Sequence, residues 1–291
     1  METKQEPLVM NELVRKITSF SANKDELLKL FKKLEERNYT ACDIQVSNFK
    51  QMDQSKEEYE KNKEELKNSF KTQIGVTGTD GEQIIGAISE VFNSPNFPDK
   101  LKSILVSSHS SFQFNYGIKP RNHFSLFLDF NKPQILDFSF LPSQATPNES
   151  NICVGGFEAT WVHGVFSEAN NFIDRHPSKF TWIHKHSIYD LLVWFLGLPF
   201  GFWIVYNLSG LLDKVFGSLS QFLLSAVYVY VFLASLLIFR LAFHYARWVW
   251  PLVEYQSPKN KAYKHRITIV AIYIGLIGKI LYDLIKIIFV N

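Results

Sequence analysis

Three charged side chains near the carboxyl end are the residues whose types and spacing most suggest chemistry. Lys279, Asp283 and Lys286 follow one another at intervals of four and three residues within an otherwise apolar run. On a helix this spacing places all three on one stripe. Charges at membrane depth are costly and usually face protein, water or an opposite charge, so we expect Asp283 to pair with Lys279.

Three interpretations of this stripe stay open at the level of sequence. The stripe contacts a polar face of neighbouring helices, lines an aqueous path in an oligomer, or marks a helix that lies at the membrane interface. The second interpretation would make the chain a pore-forming protein.

A second group of residues combines basic and aromatic side chains where a helix would leave a bilayer. These candidate contacts for lipid headgroups are Arg240, His244, Arg247, Trp248, Trp250, Lys261, Lys264 and Arg266. Lysine and arginine at headgroup level, with tryptophan in the interfacial belt, are typical of the cytoplasmic ends of membrane helices. The same residues also suit a simple stop-transfer anchor that binds no particular lipid.

The sequence contains no familiar catalytic or metal-binding motif, so we assign no catalytic residue, metal ligand or cofactor. The stretch GVTGTDG lacks the order and the lysine of a phosphate-binding loop. His184 and His186 are joined to other histidines by spacing that fixes no zinc geometry. A Ser–His–Asp set around His109 and Asp129 has no GxSxG elbow beside it. The two cysteines form no CxxC pair and suit a reducing compartment.

The charge distribution disfavours nucleic acid as a partner. The chain has a formal net charge of +3, but residues 187–291 hold nine Lys+Arg and four Asp+Glu, which leaves residues 1–186 with a net charge of −2. A positive excess beside apolar helices favours lipid headgroups. The nearest approach to a base-stacking platform is the run Phe112–Tyr116 beside Lys119. Its alternation predicts a buried strand instead.

Three apolar runs must position these candidate residues. They are predicted to cross the bilayer as helices over about 189–212, 218–239 and 267–290, since each is long enough for roughly 30 Å of hydrocarbon. Basic residues gather before the first span and between the second and third. By the positive-inside rule both basic segments face the cytoplasm, which leaves Asn291 outside if all three runs cross.

Apolar spacing predicts three segments: an N-terminal helical segment over 1–70, an α+β soluble domain over 71–186 and an all-α transmembrane domain of two to three helices over 187–291. The fold class is therefore a cytoplasmic α+β domain, with N-terminal helices, an antiparallel sheet and a packing helix, followed by membrane helices. The charged amino terminus does not resemble a secretory signal, so we expect the soluble part to stay in the cytoplasm.

Within the soluble part, helical spacing over Val9–Phe20 predicts a first helix, and Ser21 or Asn23 is expected to cap a second. A third helix is predicted over Phe49–Phe70, where a heptad seam runs through a charged stretch and favours a solvated helix over a coiled coil. A fourth is predicted over Ile84–Phe92, after a capping box, and a last one over Trp161–Ile173. The sheet is expected from alternating runs, which are Gln73–Val76, Lys102–Ser108, Phe112–Tyr116, Phe124–Phe130, Gln134–Phe140 and Asn151–Val154.

These features favour a membrane-tethered cytoplasmic module that senses or docks a partner and has no catalytic activity. The partner would be a cytoplasmic protein or a small ligand, and the helices would place the module in a bacterial inner membrane, with scope for homo-oligomers. The alternative is a membrane-perturbing effector or small channel gated by its soluble domain, in the setting of toxicity or phage defence. A membrane-bound enzyme comes third, because the sequence carries no catalytic motif.

Overall fold

The computed structural model describes residues 9–51, 55–136, 144–257 and 262–289. The chain separates into two compact units. The first comprises the described chain up to Asn131, Asn148–Lys179 and the segment that begins at Leu252; the second comprises the remainder. The chain leaves the first unit and returns to it twice, at Asn148 and at Leu252.

The first unit is an α+β domain, as the sequence predicts. Its strands are β1 (Asn11–Lys16), β2 (Phe20–Asn23), β3 (Gln73–Gly78), β4 (Gln83–Ala87), β5 (Leu101–Ser107), β6 (Asn122–Asp129), β7 (Asn151–Gly156) and β8 (Val253–Gln256). Its helices are α1 (Lys24–Ser47), α2 (Lys56–Ser69), α3 (Ile88–Asn93), α4 (Ser110–Tyr116) and α5 (Ala159–Arg175). Six strands form an antiparallel sheet in the order β1-β7-β6-β5-β3-β4.

Apolar residues alternate with other residues along these strands, which explains why one face of the sheet is packed. Ile152, Leu126 and Val106 lie side by side on β7, β6 and β5 and are fully buried. Helices α1 and α5 contribute further buried apolar residues to the same core. Asn23 starts α1 with a capping box, in which its side chain accepts a hydrogen bond from the backbone N–H of Glu26. Sheet and helices together bury one continuous hydrophobic cluster.

A separate two-stranded sheet joins β2 to β8 in parallel, with Phe20 opposite Val253. The hydroxyl of Ser178 donates to the carbonyl oxygen of Leu252 at 2.7 Å, at the start of this strand. Tyr255 packs against the rings of Phe97 and Phe130. A segment that the sequence presents only as part of a basic loop is therefore a core strand of the first unit.

The helix expected over Val9–Phe20 is not formed, because the chain builds β1 and β2 there. Leu13 and Ile17 are four residues apart, a spacing that suits one face of a helix and equally one face of a strand. Val14, which the helical pattern placed inside, is exposed. Pairing of β1 with β7 decides between the two patterns.

Two further elements differ from the sequence prediction. The start of the predicted helix Ile84–Phe92 is strand β4, which pairs with β3, and only Ile88–Asn93 is helical. The run Phe112–Tyr116 belongs to helix α4 and ends at Gly117, whose φ of 73° is the left-handed conformation that glycine readily adopts. The predicted strand Gln134–Phe140 falls partly outside the described residues.

Among the residues that the structure describes, the second unit contains three helices long and apolar enough to cross a membrane. They are α6 (Ile188–Phe216), α7 (Gln221–Val249) and α8 (Ala262–Phe289). A π-helical turn over Val193–Gly197 precedes Pro199 in α6, where the proline removes a backbone donor. Helices α6 and α7 approach closely at Gly201, where an added Cβ would lie 2.7 Å from the Phe232 ring.

Candidate functional site

The charged stripe on α8 is part of a polar cluster among the apolar helices. The ammonium nitrogen of Lys279 lies 2.6 Å from Oδ1 of Asp283, and the indole N–H of Trp203 on α6 donates to Oδ2 at 3.1 Å. Both carboxylate oxygens of Asp283 therefore have a donor. We call Lys279, Asp283 and Trp203 the membrane polar cluster.

The depth of this cluster follows from the helices that carry it. Trp203 lies 15 residues after the start of α6, or about 22 Å along a helix that rises about 1.5 Å per residue. Helix α8 starts on the same side of the unit as α6, since Arg266 donates to the carbonyl oxygen of Val249 and Phe243 contacts Tyr189. If these helices cross a hydrocarbon layer of roughly 30 Å, Lys279, one turn before Asp283, lies near its middle.

The two partners in the cluster differ in exposure. The side chain of Lys279 is 55% exposed, against 16% for Asp283. Lys286 is exposed as well. Lys279 and Asp283 therefore share the side of α8 that meets Trp203, with the acid more covered than its lysine partner.

Two members of the predicted lipid-headgroup belt are buried in the structure. Arg247 is only 4% exposed, and its guanidinium donates to the backbone carbonyl oxygens of Ile183 and Gln144. His244 is buried beside it. Both side chains therefore lie inside the second unit, where Arg247 joins α7 to neighbouring backbone.

The other members of the predicted belt have mixed surroundings. Trp248 is half-buried, with the ammonium nitrogen of Lys132 lying 4.2 Å from its ring centroid. Trp250 contacts Phe180, and Arg240 is half-buried. Lys264 is exposed, as a headgroup contact requires, whereas Arg266 is half-buried and hydrogen-bonded to backbone. Lys261 lies outside the described residues.

A buried histidine fixes the segment just before α6. His184 is 2% exposed; its Nε2 lies 2.6 Å from the carbonyl oxygen of Trp250 and its Nδ1 lies 2.8 Å from the Thr146 hydroxyl. A neutral ring satisfies both partners, since Nε2–H donates to the carbonyl while Nδ1 accepts from threonine. Burial, reinforced by the nearby charge of Arg247, lowers the pKa of His184 to about 4. We call His184, Thr146 and Trp250 the junction.

A pair of neighbouring histidines, His109 and His123, lies at the start of α4 in the first unit. Nδ1 of His109 lies 3.1 Å from the Ser107 hydroxyl, and its ring meets that of His123 edge-on at 5.5 Å between centroids. Burial lowers the pKa of His123 to about 4, helped by the positive charge of Lys119. The sequence does not reveal this pair, because β6 brings His123 back beside a residue fourteen positions earlier.

The structure does not assemble the Ser–His–Asp set that the sequence allows around His109 and Asp129. Asp129 is at the opposite end of β6 from His123, and its carboxylate accepts hydrogen bonds from Asn131 and from the backbone N–H of Glu149. Within the described part of the chain, no three His, Cys, Asp or Glu side chains come together in a way that could hold a metal ion.

The face of the sheet opposite the core carries exposed apolar side chains. Phe127, Leu105, Gly75 and Ile85 are register partners across four adjacent strands, β6, β5, β3 and β4. Leu105 is 45% exposed and Ile85 64%, while Phe127 is half-buried. We call these four residues the open-face row. Sequence alternation predicts such a row in outline, but only the pairing of strands reveals its continuity.

Comparisons of the chain with protein-family models, with curated proteins and with solved structures found no match.

Proposed function

We propose that the protein is a membrane-tethered cytoplasmic module that docks a protein partner, and that the open-face row is the docking surface. The observation that carries this proposal is the contiguous apolar strip across four strands, in which Leu105 is 45% exposed and Ile85 64%. Soluble domains usually cover such strips, because exposed contiguous apolar surface mediates association.

The pairing of β2 with β8 supports a topology in which the first unit and the link between α7 and α8 lie on one side of the membrane. Strand β8 belongs to the first unit although it lies between α7 and α8 in sequence. The first unit and the link between those helices therefore occupy the same side of the membrane. The basic residues around this link favour the cytoplasmic side of a bacterial inner membrane. Three crossings then place Asn291 on the opposite side.

Reporter fusions test this topology. A reporter that is active only outside the cytoplasm should give signal at Asn291 and none when it is fused at the amino terminus. A cytoplasmic carboxyl terminus would contradict three crossings with the soluble part inside.

Site-specific photo-crosslinking in cells tests the docking proposal. A photoreactive side chain at Leu105 or Ile85 should give one discrete adduct, which Ile85→Lys removes from the Leu105 position. Tyr39 on α1 is the matched control, because it is an exposed large side chain on a different element. Equal adducts from Tyr39, or no adduct from the open-face row, would refute the docking surface.

A specific observation favours a second candidate function, an ion-conducting homo-oligomer lined by α8. Lys279 is about half exposed near the middle of the bilayer even though it is paired with Asp283. A lysine at the centre of a membrane helix costs about 3 kcal/mol on insertion scales, and such residues usually face protein or water. A water-filled path between copies of α8 would remove that cost.

A conductance measurement distinguishes the two candidate functions, the docking module and the ion-conducting homo-oligomer. Purified full-length protein in phosphatidylcholine vesicles should carry ions if α8 lines a path, and should leave the vesicles sealed if the helices only anchor. A monomer in nanodiscs would also contradict the channel, because one α8 leaves no path to line.

A further inference from the structure

We propose that the docked partner adds an extended, basic segment to β4 as a seventh strand of the sheet. The inference rests on the proposed docking function and deepens it, because it names the form and the charge of what binds beside the open-face row. Strand β4 carries Ile85 of this row and ends the strand order of the sheet. In the described part of the chain it pairs with β3 alone.

The backbone of β4 has one set of hydrogen-bonding groups that points away from the sheet. The N–H of Gly78 donates to the carbonyl oxygen of Glu82 at 2.8 Å, and in an antiparallel pair every second residue bonds to the partner strand. Ile84 and Gly86 therefore bond to β3. The residues that direct their backbone N–H groups outward are Gln83, Ile85 and Ala87. A strand laid along β4 would accept hydrogen bonds from these groups.

The side chains of β4 leave this edge open to pairing. Outer strands in native proteins usually carry charged residues or proline, which block the addition of another strand. The outer strand on the other side of the sheet, β1, follows this rule with Glu12, Arg15 and Lys16. The sequence of β4, QIIGA, has neither a charge nor a proline. Of the two outer strands, β4 is therefore the one suited to strand addition.

The open-face row indicates which side chains the added segment presents. Residues opposite one another in neighbouring strands share one face of the sheet. A residue paired with Ile85, which is 64% exposed, would therefore extend the open-face row into the added strand. An apolar side chain at that position would cover Ile85. Because successive side chains of a strand point to opposite faces, the segment should present apolar residues at every second position.

The surroundings of β4 specify a basic segment. Residues 72–99 contain four Asp or Glu and no Lys or Arg. Glu82 directly precedes β4, and the carboxylate of Glu90 lies 3.5 Å from the position of a Cβ added to Gly86. Both acids are exposed. Lysine or arginine in the added segment would complement these charges, whereas a second copy of β4 would bring the same acids face to face.

Two synthetic peptides test the inference on full-length protein in phosphatidylcholine nanodiscs. One peptide alternates valine with lysine and the other alternates valine with glutamate. Each carries a fluorophore whose anisotropy reports binding. The lysine peptide should bind at least about tenfold more tightly, because like charges across the new strand pair oppose the glutamate peptide.

The substitution Ala87→Pro removes one outward N–H and leaves the pairing with β3 in place. The φ of Ala87 is −71°, which proline adopts readily. The variant should bind the lysine peptide about tenfold more weakly, since a hydrogen bond to the incoming strand is lost. Ala87→Val keeps the N–H and should bind the peptide as the wild type does. Melting temperatures check that both variants fold.

A charge reversal gives an independent variant that leaves the backbone of β4 unchanged. Glu82→Lys should weaken binding of the lysine peptide severalfold, because it replaces an attraction at the end of β4 by a repulsion. Glu60→Lys, which changes an exposed acid on α2 by the same charge, is the matched control and should bind the peptide as the wild type does.

The outcomes distinguish this inference from the function on which it rests. A preference for the lysine peptide that Ala87→Pro or Glu82→Lys weakens supports strand addition. Equal binding of the two peptides, or binding that both variants leave unchanged, overturns it. A discrete adduct from a photoreactive side chain at Leu105 that survives Ala87→Pro also overturns it and leaves the docking surface standing. A wild-type chain that gives no adduct at Leu105 overturns the docking function and the inference with it.

Discussion

Acidification should open the junction, because His184 must be neutral in the folded protein. Its pKa is lowered to about 4, whereas histidine in an unfolded chain titrates near 6.5. Above about pH 6.5 both states are neutral and the junction has its full stability. As the pH falls from about 6.5 to 4, only the unfolded state takes up the proton, so stability decreases throughout this window.

The size of the effect follows from the same two pKa values. One pKa unit corresponds to about 1.36 kcal/mol, so the folded junction loses about 3 kcal/mol when the pH falls below about 4. Backbone geometry adds to this sensitivity. Phe180 and Ser187, on either side of the junction segment, have φ of 57° and 62°, which non-glycine residues hold only when their surroundings enforce it.

Hydrogen exchange of peptides that cover 181–186 and 246–251 measures the opening locally. After correction for the intrinsic pH dependence of exchange, protection should fall steadily below about pH 6.5. His184→Gln should remove this pH dependence, since its amide can still donate to Trp250 but does not titrate. His123→Gln is the control, because it removes a comparably shifted histidine of the first unit. Protection that is equal at neutral and acidic pH would refute the assignment of a neutral, buried His184.

Three further outcomes follow from local contacts. Gly201→Leu should lower the melting temperature through an overpacking cost of about 1–3 kcal/mol, whereas Gly210→Leu, with nothing within 4 Å of its added Cβ, should not. Asn38→Ala should reduce the free energy of unfolding by about 1–3 kcal/mol in denaturant titrations, because the buried Asn38 amide donates to the Phe70 carbonyl and the Thr72 hydroxyl. Cys153 should alkylate slowly near pH 8, since burial and Glu12 raise its pKa to about 11, and Glu12→Gln should accelerate the reaction.

Sequence periodicity predicts those elements in which one face alone is buried. Phe124–Phe130 alternates because β6 crosses the middle of a sheet with a single packed face, and Trp161–Ile173 repeats at helical spacing because α5 covers that face. The same reasoning fails at Val9–Phe20, because apolar residues four positions apart fit the helical period of 3.6 and the strand period of 2 equally well. Only pairing with a strand more than a hundred residues away resolves that choice.

The candidate site was predictable to the extent that it lies on one helix. The Lys279–Asp283 pair follows from spacing within α8, and it is formed. Its third member, Trp203, is 80 residues away, and no pattern in the sequence indicates that its indole meets the carboxylate. Likewise, the position of Arg247 at the end of an apolar helix suggests headgroups, whereas its burial depends on carbonyl groups from two distant segments.

Strand β8 makes the first unit depend on chain that lies beyond helices α6 and α7. A fragment 1–186 lacks Val253 and Tyr255, both buried in the core of the first unit, and leaves Phe20 without its register partner. Removing two such side chains forfeits about 3–6 kcal/mol of hydrophobic burial. The fragment should therefore melt below a version in which residues 252–257 are fused through a flexible linker, and Tyr255→Ser in the fused version should reverse much of the gain. Equal melting of the fragment and the fusion would show that β8 contributes nothing. In the full chain the same strand follows α7 and precedes α8 in sequence, so the first unit draws a core strand from between two helices of the second unit.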